Sequence, residues 1–151
     1  ERSGRCRCTV EQIRRYQNRL SGPLLDRVDL HVRMQSVDPT ELHVRKPSSE
    51  SSAEVKNRVC AAREGQLARS RKINAHLTQS DLQQVARLSE EAQRFVTEAA
   101  RQLGFSARGH HRVLRVARTI ADLEDVAAVT ADHLAEALQY RKPDPGEPGV
   151  A

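Results

Sequence analysis

The sequence has no tryptophan, two tyrosines, two phenylalanines and one methionine in 151 residues. A core must therefore be assembled from leucine, valine, isoleucine and alanine, a composition that favours helices. Tyr16, Phe95, Phe105 and Tyr140 are too scattered to form a platform on which bases could stack. No stretch approaches the roughly 18 apolar residues of a membrane span, and the opening residues lack the hydrophobic centre of a signal peptide. The expectation is a soluble, cytoplasmic protein with no membrane partner. Three cysteines, an odd number without a secretory signal, argue against a disulfide framework. There is also no G-x-x-x-x-G-K-[ST] run, so the chain carries no phosphate-cradling loop of its own.

What is present is mostly helical punctuation. Thr9 followed by Gln12 forms a capping-box signature that opens a helix through about Leu20, with Val10, Ile13 and Tyr16 on one side, and Ser21, Gly22 and Pro23 end it. A single turn over residues 24–27 precedes residues 28–34, where Val28, Leu30, Val32 and Met34 alternate with polar residues. This period of two predicts a strand. A lone strand leaves its backbone donors and acceptors without a ladder, so its sheet is expected in residues upstream of this chain, which reads as a fragment. Pro39, Pro47 and a serine cluster mark a connector.

From residue 52 onward the pattern is helical. Ser52, Ser80, Ser89, Ser106 and Thr130 are the expected caps, Gly104 is a stop, and Asn74 to Leu77 reads as an extended break. Val55, Val59, Ala62 and Leu67 are the expected core side of the first of these helices, with Cys60 a small core residue. Val113, Leu114, Ala117, Ile120 and Ala121 form the apolar stripe of the helix after Ser106. The last ten residues, KPDPGEPGVA, have almost no apolar bulk and read as a disordered tail.

The net charge of +5 is modest, but between positions 101 and 119 lie five arginines and no acid, a face suited to an anion. His110 and His111 in this run read as a polar face, since no cysteine or serine nucleophile is paired with them. Cys6 and Cys8, in an arginine-studded opening, could supply half of a tetrahedral zinc site, but a C-x-C pair alone is weak evidence and two reduced surface thiols suit the spacing better.

Two segments combine a turn or helix start with arginines and acids at fixed spacing: SGPLLDRVDLHV at 21–32 and SARGHHRVLRVARTIADLE at 106–124. With CRCTVEQIRRYQNRL before them and DHLAEALQYR after, they resemble the C-terminal portion of magnesium chelatase subunit I-like proteins of the AAA+ class, most closely the ComM-like branch. The resemblance covers nearly the whole chain to about Arg141.

It implies a mainly α architecture: an AAA+ helical lid bundle preceded by a remnant (helix, turn, one strand) of the α/β ATPase core. The implied division is core end at 1–36, connector at 37–52, lid at 53–142 and tail at 143–151. It further implies an ATPase that works as a ring, often a hexamer, with ATP and Mg held between subunits by motifs not in this chain, so that the chain alone is inactive. Arg27 matches the family's arginine finger, acting on a neighbour's nucleotide, with Asp26 beside it able to orient the guanidinium. Arg108, after the serine cap, matches the second sensor, with Arg112 and Arg115 as supporting residues on the same face or in solvent. Cys6 and Cys8 match the second half of a four-cysteine zinc cluster. The remodelled substrate is open, DNA branch structures and metal–tetrapyrrole complexes both fitting. The alternative is a stand-alone basic helical module that binds nucleic acid through the arginine run.

Overall fold

A computed structural model of the chain describes residues 8–19, 22–25, 27–32, 34 and 50–141. The described residues fall in two compact units, one holding α1 (Val10–Gln17) and α2 (Gly22–Leu25), the other spanning Val32–Tyr140. Cys6, Asp26, the tail and most of the connector lie outside the described residues.

In the first unit the expected capping box closes as read. The Gln12 N–H donates to Thr9 Oγ1, and Gln12 Oε1 accepts from the Thr9 N–H at 2.8 Å. Ile13 is half-buried while Val10 and Tyr16 stay exposed. No strand ladder is assigned over the described residues of 28–34, because a period-two pattern becomes a strand only when a second strand takes its backbone groups.

The second unit is a helical bundle of α3 (Ser52–Ser70), a 3₁₀ turn (Asn74–His76), α4 (Gln79–Val85), α5 (Glu90–Leu103), α6 (Ala107–Leu123) and α7 (Ala131–Gln139). Three caps fall where expected: Ser89, Ser106 and Thr130 each accept from the N–H three residues on. Two fall one or two residues earlier. Ser51 rather than Ser52 caps α3, and Thr78 rather than Ser80 caps α4, because each has an acid at the third helical position, Glu54 and Asp81, that closes a capping box. The expected extended break is a 3₁₀ turn flanked by extended Ile73 and Leu77. Gly104 ends α5 in the left-handed region at φ +61, where a side chain would be strained.

Helix α6 is the axis of the bundle. It packs against α7, α3, α4 and the 3₁₀ turn, while α5 packs against α7. Its stripe of Val113, Leu114, Ala117, Ile120 and Ala121 is buried as expected, joined by Ala92 and Val96 of α5, Val129, and Leu134 and Ala137 of α7. A parallel bridge between Leu88 and Val129 ties the entries of α5 and α7 together. Helix α3 departs from its expected pattern. Only Ala62 and Gln66 are buried. Val55 and Val59 share their side of the helix but lie in its first half, where residues 52–61 are all exposed, whereas Cys60 and Leu67 lie on the opposite side, about 140–160° round the helix from Ala62. No helix among the described residues is long and apolar enough to cross a membrane.

Candidate functional site

At ~100° per residue, Arg108, Arg112, Arg115, Thr119 and Asp122 fall within an arc of about 80° on α6, opposite its apolar stripe. The N-terminal end of this polar stripe is open. Arg108 is exposed in the first turn, where backbone N–H groups have no intrahelical acceptor and the helix dipole favours anions. Ser106 Oγ accepts from the Gly109 N–H at 3.0 Å and fixes where the helix starts, which places Arg108 at its mouth. Arg112, one turn on, is half-buried. Beside it His110 is half-buried, and its pKa is pushed down by burial and then by the neighbouring charge of His111.

The rest of the arginine run does not form a basic face. Arg115 donates from Nη2 to the carbonyl of Leu77 at 2.8 Å, and its Nε is buried with no hydrogen-bond partner among the described residues, so the expected solvated or supporting arginine is a tie between α6 and the turn before α4. Arg118 is the largest fully buried side chain, at 1% exposure. It donates from Nε to Asp122 at 3.1 Å, from Nη1 to the Ala127 carbonyl at 2.6 Å and from Nη2 to the Val126 carbonyl. Burial pushes its pKa down against the opposing pull of Asp122, and the guanidinium stays charged. Arg118 thus holds the α6–α7 loop from inside.

Asp122 is the centre of a polar cluster that the sequence did not announce. Its carboxylate accepts from Arg69 of α3 (Nη2 to Oδ2, 2.9 Å), from Asn74 of the 3₁₀ turn (Nδ2, 2.7 Å) and from Arg118. Asn74, itself buried, takes Gln66 Oε1 with its N–H at 3.0 Å and donates to Thr119 Oγ1 at 3.0 Å. Burial raises the Asp122 pKa, but the hydrogen bonds from Arg69 and Asn74 and the charges of Arg118 and Arg69 outweigh it and hold the carboxyl below its ordinary value. The spacing of Arg118 and Asp122 at i,i+4 was legible; the partners from residues 66–74 were not.

His133 occupies the third position of α7, and its Nδ1 accepts from the Thr130 N–H at 3.0 Å. That bond assigns the proton to Nε2, which then donates to Glu124 at 2.9 Å. This is a structural use of histidine that closes a capping box and pins the α6–α7 loop.

Arg27 is exposed in the turn after α2, its N–H donating to the Leu24 carbonyl at 3.0 Å. Its expected companion Asp26 lies outside the described residues, as does Cys6. Cys8 is exposed, and among the described residues no group of three or more His, Cys, Asp or Glu could hold a metal.

Two stretches that together cover most of the chain match a known family. Residues 49–141 match the model of the magnesium chelatase subunit ChlI C-terminal region, and residues 1–42 match that of magnesium chelatase subunit ChlI. The chain belongs to this family and is its C-terminal portion. Within it the chain fits the ComM-like branch: it is 42% identical to the competence protein ComM of Haemophilus influenzae over 89% of its length, and 45% identical to the YifB protein of Escherichia coli over 91%. It is also 36% identical to a protein of Mycobacterium bovis over 91% of its length. The chain spans 26% to 28% of the length of these relatives.

Proposed function

We propose that this chain supplies the lid and two ATP-directed arginines of a cytoplasmic ring ATPase of the AAA+ class, whose phosphate-binding loop and metal-binding acid lie in a longer protein. The observation that carries the reading is Arg108. It is the arginine of α6 left exposed at a helix N-terminus, while Arg115 and Arg118 of the same helix are engaged inside the fold. Its guanidinium and the first-turn N–H groups together suit phosphate oxygens. Arg27, exposed in a turn that Leu24 helps to close, suits a finger reaching a neighbouring subunit's ATP. Such a finger is worth about 10³ to 10⁵ in rate, because it meets charge that develops on the transferring phosphoryl group. Mg, bound elsewhere in the ring, would supply charge neutralisation between the phosphates. The work driven by hydrolysis is remodelling, with branched DNA and metal–tetrapyrrole complexes as the candidate substrates.

Subunit mixing tests this assignment. Rings of Arg27→Ala subunits and subunits with a defective phosphate loop should recover hydrolysis, because an intact site can then face an intact finger. Rings of Arg108→Ala subunits with the same partner should not, because every site keeps one defect. The opposite pattern would reverse the two roles. A stand-alone nucleic-acid module loses support here, since the arginine run it requires is divided between the surface and the interior.

A further inference from the structure

We infer that the cluster centred on Asp122 is a positioning device for Arg108, setting the rotation of α6 about its own axis; the inference rests on the ATP-directed reading of Arg108 just given. Two kinds of contact hold α6. On one side is its apolar stripe, which includes the small residues Ala117 and Ala121, and hydrophobic attraction is non-directional. On the other side Arg115, Thr119 and Asp122 make directional hydrogen bonds to Leu77, Asn74 and Arg69. These three residues lie on the same stripe as Arg108. A helix pinned by hydrogen bonds at three successive levels of one stripe cannot turn without breaking them, so the direction in which Arg108 leaves the bundle is set two to four turns away.

The pins all end on one short stretch of chain. Gln66, Arg69, Asn74 and Leu77 run from the last turn of α3 to the start of α4, and Gln66 holds the Asn74 backbone while Arg69 also donates to Asn74 Oδ1 at 2.9 Å. The stretch is therefore braced against itself before it meets α6. Asp122, its side chain 6% exposed, is the acceptor common to Arg69, Asn74 and Arg118. Asp122 and Arg69 are thus positioning residues, with no contact to nucleotide required of either.

The test is a double-mutant cycle on hydrolysis by the protein of full family length. Arg108→Ala and Asp122→Asn should each lower kcat, the latter by up to about a hundredfold if Arg108 is displaced by about 1 Å. Their combination should be no slower than Arg108→Ala alone, because a misdirected arginine that is already absent cannot be lost twice. Thr119→Val, a milder cut of the same stripe, covers the case in which Asp122→Asn fails to fold, and should show the same non-additivity. Val96→Ala, in the α5 part of the core, serves as a control for lowered Tm and should leave hydrolysis below its Tm unchanged. Multiplying effects in the cycle would overturn the positioning role and leave Arg108 as a nucleotide contact. An unimpaired Arg108→Ala protein would overturn the ATP-directed reading itself, and this inference with it.

Discussion

Arg69 on α3 and Asp122 on α6, separated by 53 residues of sequence, close a two-pronged ion pair that is largely shielded from solvent. Because Arg118 and Asn74 share the same carboxylate, the pair joins α3, the 3₁₀ turn, α6 and the α6–α7 loop at one point.

Asp122→Ala should therefore be among the most damaging single changes in the bundle. It leaves Arg118, buried, and Arg69, mostly buried, facing each other without the carboxylate between them, and removing one partner of a buried pair costs about 3–5 kcal/mol. Chemical denaturation of the chain measures it. A loss below about 1 kcal/mol would mean that the cluster is more hydrated than its geometry implies.

Acid should act through the same group. An unfolded aspartate titrates near 3.9, and Asp122 titrates lower in the fold, so between these values the unfolded chain binds more protons. The stabilisation is complete above about pH 5, begins to fall as the unfolded aspartate takes up protons, and is lost as pH falls through the folded value. Asp81 adds in the same direction: the hydrogen bond from Lys72, then those from the Thr78 N–H and hydroxyl, push it down to about 2, although its exposure keeps the contribution small. Denaturation midpoints measured from pH 5 to pH 2 should fall less steeply for Asp122→Asn than for the parent chain. Parallel slopes would speak against a depressed Asp122.

The two ends of the arginine run should separate by stability. Arg115→Ala strips the Leu77 carbonyl of its donor and should cost about 1–3 kcal/mol. Arg108→Ala, at an exposed position, should stay within about 0.5 kcal/mol of the parent. Equal losses at both positions in thermal melts would contradict the division of this helix into an open mouth and a pinned body.

Cys60 gives a chemical check on the course of α3. With Cys6 and Cys8 replaced by serine, the remaining thiol should react with an aromatic disulfide reagent at the same rate in native buffer and in denaturant, within a few fold, because it is already exposed. Protection by orders of magnitude would place it inside a packed core.

Ser89, Ser106, Thr130, Gly104 and the Thr9–Gln12 box could be read directly, as could the buried stripe of α6, because caps and helical periodicity depend on residues three or four apart. The family was legible for a similar reason, since its signature segments are each contiguous. What sequence could not determine was which members of a periodic pattern meet a partner. Val55 and Val59 share a helix side with buried Ala62 and are exposed, because the whole first half of α3, residues 52–61, lacks a packing partner among the described residues that covers it. Arg115 and Arg118 have the composition of a surface, yet one is tied to the Leu77 carbonyl and the other is buried, because Asp122 and the carbonyls of Leu77, Val126 and Ala127 converge on them. Burial of a charge is decided by whether hydrogen-bond partners reach it across the fold, and Arg69 and Asn74 come to Asp122 from distances along the chain that no local pattern encodes.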